Sequence, residues 1–356
     1  IRNNTAFIAD YSNGFIIMNI SNPQNPNIIK TKNTNGKVIY LDVKGDYVYL
    51  YNRHYNPLYK GFKVYNISNL STPYAAGSIS YNNLTFDNVT VSGQYAYLGG
   101  KTLRIVDISD PKNLTDAGYY TSPYQTNDLI TSGIRIYTSL ENGLHIFKNK
   151  VITTGTKWNT KLIGSANQPN DARDIEVVGN YGLVADANNS LKILDLTDYQ
   201  NISEVSSQSI CCSPVKVKHR NGYAYVVGKT GDLSIVDLSN INNTDTAATV
   251  SYDHNIYDVG FYEHYAFVAG GINGFAIIDI SDPSNPSKES FYNIAAYSIT
   301  IKEEYLYVGA RQYGGSIYDI SDTPNISTFS DALGTFPRNG EVNDVEVKGT
   351  YAYTAS

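Results

Sequence analysis

The sequence predicts an all-β protein built from copies of one short-stranded unit. A strand containing an aromatic–apolar pair returns nine times, at steps of 40 to 48 residues. The segments between these strands are short, rich in β-forming residues and bounded by turn residues. We find no segment with convincing helical periodicity. The nine strands are TAFIAD (5–10), YVYLYN (47–52), YAYLGG (95–100), RIYTSL (135–140), YGLVAD (181–186), YAYVVG (223–228), YAFVAG (265–270), YLYVGA (305–310) and YAYTAS (351–356).

Each unit opens with a strand of the type DVEV (344–347) and a tight turn that leads into the recurring strand. One turn position is glycine in five units, at Gly45, Gly93, Gly133, Gly179 and Gly349. Glycine suits a residue with positive φ, and Asn221 fits the same position. Glu263 and Glu303 do not fit it, so we expect their two turns to differ.

The third strand runs into a polar turn, as in GFAIIDISDPSNP (274–286). An acidic or amide side chain at the end of the strand can accept bonds from the following backbone N–H groups, and proline then stops the strand. Seven of eight third strands carry Asp or Asn there, whereas Lys148 is expected to mark a different turn. The seven are Asn19, Asn66, Asp107, Asp195, Asp237, Asp279 and Asp319.

With a variable fourth strand, the unit has four strands in about 42 residues, which is typical of a β-propeller blade. The count predicts one domain over residues 1–356 with eight four-stranded antiparallel blades, and seven blades plus an extra repeat is the alternative. We expect NDVEV (343–347) to close the ring beside TAFIAD. YAYTAS is then a surplus strand. We therefore expect the natural chain to continue past Ser356. We also expect YAYTAS to pair with a strand of a neighbouring domain or subunit.

The phrases LRIVDISDP (103–111), LSIVDLS (233–239) and AIIDISDPSNP (276–286) resemble the LVIVD repeat. That repeat forms propellers in bacterial and archaeal cell-surface proteins, and the resemblance covers nearly the whole chain. It implies the propeller fold and a surface location, and it is weak evidence for any particular activity. The single Trp158 sets the sequence apart from propellers with repeated Trp motifs.

Composition excludes several classes of protein. The net charge is −6 and no long basic tract occurs, so a nucleic-acid partner is not expected. No apolar run reaches the ~18 residues of a membrane span. The chain opens at Ile1 without Met, so either a leader was removed or the sequence is a piece of a longer one. Cys211 and Cys212 are adjacent, and either two small strand residues or a vicinal disulfide would account for them.

No catalytic residue is predicted, because the five histidines lack metal-ligand spacing and no nucleophile or phosphate-binding motif occurs. The start of each innermost strand is the strongest candidate site. Four carboxylates, Asp128, Asp174, Asp258 and Asp344, recur at that position and could hold Ca²⁺ or a polar ligand at the mouth of the central channel. Alternatively, these aspartates belong to the repeat consensus, bond neighbouring backbone and bind nothing. Lys216 at the same position favours a neutralised network.

Two further sets of residues could carry surface functions. Tyr51, Tyr55 and Tyr59 lie in an inserted loop, YNRHYNPLYKG (51–61), that could form a binding face on one rim. N-x-S/T sequons supply the second set, the glycosylation candidates. Four of them lie in turns that we expect to be exposed: Asn69, Asn113, Asn201 and Asn242. The others are Asn3, Asn66, Asn83, Asn188 and Asn325.

Together these features predict a non-catalytic extracellular module, structural or adhesive, and a possible subunit of a filament or surface layer. Its expected partners are proteins or glycans at the cell surface, or further copies of itself. The alternative is a ligand- or cation-binding propeller, enzymatic or not, with its site at the channel mouth around the four carboxylates.

Overall fold

The structure is a computed structural model. It describes residues 5–10, 14–19, 21, 27–54, 60–81, 84–122, 124–132, 135–140, 143–148, 161–166, 171–210, 213–311, 313–323, 332, 334–336, 344–347 and 352–355. Within these ranges the chain forms 33 strands and no helix. The strands make eight sheets, which are the blades of a β-propeller. The predicted fold class is therefore confirmed.

Seven blades have four antiparallel strands each, in chain order from the channel outward. Their bounds are as follows: blade 1, β4 (Lys37–Lys44), β5 (Tyr47–Arg53), β6 (Gly61–Asn66), β7 (Tyr74–Ile79); blade 2, β8 (Phe86–Ser92), β9 (Tyr95–Gly100), β10 (Thr102–Asp107), β11 (Thr115–Thr121); blade 3, β12 (Thr126–Ser132), β13 (Arg135–Leu140), β14 (Gly143–Lys148), β15 (Lys161–Ala166); blade 4, β16 (Ala172–Val178), β17 (Tyr181–Asp186), β18 (Ser190–Asp195), β19 (Ser203–Ser209); blade 5, β20 (Pro214–Arg220), β21 (Tyr223–Gly228), β22 (Asp232–Asp237), β23 (Asp245–Ser251); blade 6, β24 (Asp258–Tyr262), β25 (Tyr265–Ala269), β26 (Phe275–Asp279), β27 (Ser287–Tyr292); blade 7, β28 (Ser298–Lys302), β29 (Tyr305–Gly309), β30 (Gly315–Asp319), β31 (Gly334–Phe336).

Blade 8 closes the ring with strands from both ends of the chain and has five strands. Its order is β32 (Asp344–Val347), β33 (Ala352–Ala355), β1 (Thr5–Asp10), β2 (Gly14–Asn19) and β3 (Asn27–Lys32). The innermost strand is β32, as expected, but it does not lie beside β1. Instead β33 lies between them, antiparallel to β32 and parallel to β1. The expectation that YAYTAS is surplus was therefore wrong, because β33 has a strand on each side.

The hydrophobic core lies between neighbouring blades. The second strands are buried on both faces because they occupy the middle of each sheet, and all residues of β9 and β25 are buried. One cluster, for example, packs Phe267 and Phe275 of blade 6 against Leu306 and Val308 of blade 7. The outermost strands are largely exposed, as in β27. This stacking of equivalent layers stabilises a ring in which each blade contacts the next.

The polar turns after the third strands are built as the sequence predicts. In all seven, the Asp or Asn side chain accepts a bond from the backbone N–H two residues later, at distances of 2.7 to 3.0 Å. A second cap often follows three residues on, as where Asp110 Oδ1 accepts the Lys112 N–H at 3.0 Å. These turns end the third strand locally, without help from other blades. The turn after Lys148 lies outside the described residues.

The turns between first and second strands correct one expectation. Gly45, Gly93 and Gly179 have φ of 53°, 57° and 59°, and Asn221 has 49°, as predicted. Glu263 and Glu303 occupy the same position with φ of 47° and 54°, so their turns do not differ. The register of the two flanking strands imposes this geometry whatever the side chain is. The two glutamates therefore adopt a conformation that disfavours bulky L-residues.

We expect Glu263→Gly and Glu303→Gly each to raise the free energy of unfolding by about 0.5–1 kcal/mol, because glycine relieves the strain of a positive φ. Urea unfolding of the single and double variants would measure this. Glu304→Gly is the matched control, since Glu304 is not among the residues with positive φ, and it should be destabilising. A loss of stability in both test variants would contradict the prediction.

Candidate functional site

A central channel runs through the ring and encloses about 720 Å³. It is lined by the innermost strands of blades 1 to 7, β4, β8, β12, β16, β20, β24 and β28. Each of these is the edge strand of its sheet, so some of its backbone N–H groups have no hydrogen-bond partner within the blade. Carboxylates on the same strands satisfy several of these groups.

Three aspartates connect one blade to the next in the same way. Asp174 Oδ2 accepts the Val217 N–H at 2.8 Å, and Asp258 Oδ2 accepts the Ile299 N–H at 2.9 Å. One pleat further along the channel, Asp42 Oδ2 accepts the Val91 N–H at 2.7 Å. In each case the acceptor lies in one blade and the donor lies on the innermost strand of the following blade. We call these contacts the interblade clasps.

The other oxygens of these carboxylates are also engaged. Oδ1 of Asp42 and of Asp258 accepts the N–H of the next residue in its own strand, at 2.7 and 2.9 Å. Oδ1 of Asp174 lies 3.1 Å from Lys216 Nζ. Asp174 and Asp258 are only 4% and 8% exposed, so such bonds are needed to keep a charged carboxylate in place. These aspartates therefore fit the alternative interpretation of the channel ring, in which the carboxylates accept hydrogen bonds from neighbouring backbone N–H groups.

Asp128 and Asp174 form a carboxyl pair inside the channel. Burial raises the pKa of Asp128 to about 6, and the negative charge of Asp174 and a hydrogen bond to it act in the same direction. The Lys216 ammonium and the Leu129 N–H oppose the rise. Asp128 therefore takes up a proton at a higher pH than an ordinary aspartate, and the Lys216 ammonium lies 3.1 Å from the Asp174 carboxylate.

We expect this pair to make stability depend on pH near neutrality. The pKa of Asp128 is higher in the folded than in the unfolded protein, so stability should rise as the pH falls from 7 through 6 toward 4.5. Asp128→Asn should remove that pH dependence. The difference in free energy of unfolding between the variant and the parent should therefore change by on the order of 2 kcal/mol across this pH range. Urea unfolding at several pH values would measure it, and two parallel stability curves would contradict it.

The predicted ring is only partly assembled. Asp128 and Asp174 meet, Asp258 serves a separate clasp, and the side chain of Asp344 lies outside the described residues. Asp42 was missed because it lies outside the aligned ring position, although alternation along β4 could have shown that it shares the face of Tyr40. No cluster of three or more His, Cys, Asp or Glu side chains suited to a metal occurs in the described part of the chain. The Ca²⁺ site stays a prediction.

The glycosylation candidates of the exposed turns lie on one side of the propeller. Asn69, Asn113, Asn201 and Asn242 are all exposed, and all lie in turns between third and fourth strands. Asn188 is exposed in a turn between second and third strands, at the opposite ends of the strands. Asn66 is buried and its Oδ1 caps the Ser68 N–H, so the folded structure disfavours it as a glycan carrier. The candidates Asn3, Asn83 and Asn325 lie outside the described residues.

The tyrosine loop needs one correction. Tyr51 lies on strand β5, not in a loop, and is only 3% exposed. Its hydroxyl donates to the Leu84 carbonyl at 2.7 Å, and its ring packs edge-on against Phe86 of blade 2. Tyr51 therefore packs blade 1 against blade 2 instead of forming a binding face. Tyr55 and Tyr59 lie outside the described residues, as do Cys211 and Cys212.

The fold is that of known β-propellers. Sqt1 from Saccharomyces cerevisiae superimposes with a TM-score of 0.72 at 8% identity, covering 100% of this chain and 96% of that one. The dihydro-heme d1 dehydrogenase NirN gives 0.69 at 13% identity, with 95% of this chain and 74% of that chain covered. BamB from Moraxella catarrhalis gives 0.64 at 13%, covering 86% and 90%. At these identities the likeness concerns the fold alone.

Within the propellers, the chain belongs to the LVIVD repeat family. The family model matches seven segments that together span more than half of the chain: 1–34, 86–122, 169–209, 215–245, 255–293, 295–328 and 339–356. The predicted family is confirmed. No curated protein matches the chain. Among the described residues there is no helix of the length and apolarity that a membrane span needs.

Proposed function

We propose that this protein is a non-catalytic module of the extracellular cell surface, structural or adhesive, that presents its turns and rims to protein or glycan partners or to further copies of itself. The interblade clasps carry the proposal. The channel is where a propeller of this kind would assemble a site, and its aspartates accept backbone bonds from the next blade. Their chemistry is used to hold the ring together.

Other observations support the surface location. Four sequons are exposed in turns on one side of the propeller, where glycans would project away from the blades. The LVIVD repeats resemble those of bacterial and archaeal surface proteins. The low charge content of 17% and the 32 tyrosines are unlike a typical cytosolic enzyme. Propellers can bind protein segments, since a Sqt1 from Chaetomium thermophilum is bound to the N-terminus of the ribosomal protein L10.

The test is the intact mass and the size of the protein purified from its native source, before and after enzymatic removal of glycans. We expect recovery in the envelope or in a polymeric fraction, and a mass above the 39.3 kDa of the bare chain that falls on deglycosylation. Peptide mapping separates glycans from additional polypeptide. A monomer of the bare mass outside the envelope would contradict the proposal.

A second candidate is a ligand- or cation-binding propeller, enzymatic or not, with its site in the channel. The volume of about 720 Å³ and the raised pKa of Asp128 favour it. Calcium titration followed by thermal melting tests it. A rise in melting temperature that disappears in Asp174→Asn and Asp258→Asn would support the channel site, and an unchanged melting curve would exclude a Ca²⁺ site of useful affinity.

A further inference from the structure

We propose that the channel mouth at blades 6 and 7 binds an acidic polysaccharide, a chain of uronic acid residues, through Arg311, Tyr257 and Tyr297. This assignment rests on the proposed surface function and names the class of partner that binds at this end of the channel. The three residues come from different segments of the chain. Tyr257 and Tyr297 directly precede the innermost strands β24 and β28, and Arg311 lies in the turn between β29 and β30.

The two tyrosines line the channel and meet there. Their ring centroids are 5.1 Å apart with the planes inclined by 54°. The guanidinium carbon of Arg311 lies 4.0 Å from the Tyr297 ring centroid and 5.6 Å from that of Tyr257. Contacts of this kind hold a guanidinium in place while its edge N–H groups stay available.

The backbone at Arg311 is in an unfavourable conformation. Its φ is 48°, in the left-handed region that bulky residues rarely adopt. In blade 6 the equivalent turn residue is Gly271, with φ of 66°, and a Cβ there would lie 2.6 Å from Tyr257 Cε2. In blade 6, Gly271 adopts the positive φ without strain and leaves room for the Tyr257 ring. Blade 7 has Arg311 at the equivalent position despite the strain. Glu263 and Glu303 carry a similar strain because of strand register, so what distinguishes Arg311 is the contact of its side chain with the two tyrosines.

Arg311 differs in its partners from three of the other arginines, whereas Arg135 and Arg220 likewise lie over aromatic rings. Arg53, Arg104 and Arg173 are paired with aspartates of the described chain. Among the described residues no carboxylate is paired with Arg311, whose contacts are the two rings. Its planar fork of donors matches a carboxylate in bidentate geometry. The ligand should therefore bring the carboxylate.

The surroundings favour a sugar over a peptide. A tyrosine offers an apolar ring face and a polar hydroxyl, which suits a sugar ring with C–H faces and hydroxyl groups. A peptide that added a strand in the channel would need the free N–H groups of an edge strand. The interblade clasps occupy such groups, including Ile299 N–H beside Tyr297. Ile272 and Tyr313, 56% and 46% exposed in the two flanking turns, provide contact area for further sugar units.

Calorimetric titration of the chain with tetragalacturonate tests the proposal, against neutral maltotetraose and the peptide tetraglutamate. We expect the acidic sugar to bind at least tenfold more tightly than either. Arg311→Gly should weaken that binding at least tenfold without lowering the melting temperature, because glycine removes the donors together with the backbone strain. Tyr297→Ala should weaken it by a similar factor.

Arg135→Ala is the matched control, since the Arg135 guanidinium also lies over a tyrosine ring, 4.2 Å from that of Tyr199, but at the start of a second strand and so at the opposite end of the blades from Arg311. Its affinity should stay within twofold of the parent. No binding of tetragalacturonate, equal binding by Arg311→Gly, or a preference for maltotetraose or tetraglutamate would each overturn the proposal. Failure here is distinct from failure of the surface function, which is decided by the mass and envelope fraction of the native protein.

Discussion

Asp174→Ala is expected to lower the free energy of unfolding by about 3 kcal/mol. The alanine leaves the Val217 N–H without its acceptor at 2.8 Å and takes the anionic partner away from Lys216, at a position only 4% exposed. Both losses fall on the junction between blades 4 and 5. Urea unfolding and thermal melting would measure the change, and the pKa of Asp128 should fall at the same time because a neighbouring negative charge has gone.

Two variants separate the causes. Asp174→Asn keeps an acceptor for Val217 N–H and loses the charge, so its effect should lie between the parent and the alanine variant. Asp198→Ala is the matched control, because Asp198 also caps a backbone N–H but lies in an exposed turn, and its effect should be much smaller. If Asp174→Ala unfolds at the same urea concentration as the parent, the interblade clasps do not stabilise the ring.

Gly77→Ala should cost about 2–3 kcal/mol by forcing two blades apart. A Cβ on Gly77, in the outermost strand of blade 1, would lie 2.2 Å from the Pro111 carbonyl oxygen in the third-to-fourth-strand turn of blade 2. The obstacle is backbone, so it cannot rotate away. Gly164 meets the Tyr199 carbonyl of the next blade in the same manner, at 1.8 Å. We expect both alanine variants to show the loss by urea unfolding.

Ser78→Ala provides the control for the Gly77 variant. Ser78 is the next residue in the same strand and is exposed, so the substitution should change stability by less than about 0.5 kcal/mol. A Gly77→Ala protein as stable as Ser78→Ala would show that the blades can separate at no cost. The outer part of the ring would then be loosely packed, contrary to the contacts described.

The repeating unit, the four-stranded blade and the turns after the third strands could be predicted from the sequence because their causes are local. Asp107 and Asp279, for example, bond to the N–H only two residues later, so the pattern of residues contains the whole interaction. The same holds for the positive φ of Gly45 and Gly93. Each signal recurs with every unit, which made the period visible in one sequence.

The candidate site could be predicted less well, because its contacts join residues of different units. The clasp from Asp174 to Val217 spans 43 residues, and that from Asp42 to Val91 spans 49. Both a ligand-binding ring and a structural ring require aspartate at that position, so residue type alone did not distinguish them. Tyr51 was misplaced for a related reason, since only the neighbouring blade shows that its ring is packed.

The sequence by itself therefore determined the propeller, its family and its turn chemistry, which depend on spacing and on bonds between near neighbours. The tertiary structure alone decided where the carboxylates of the channel point, that Glu263 and Glu303 take a glycine conformation, that β33 lies between β32 and β1, and that Arg311 rests on two tyrosines. Each of these depends on how one blade packs or pairs with another, and the free energy of such contacts is set by distances that a linear pattern does not contain.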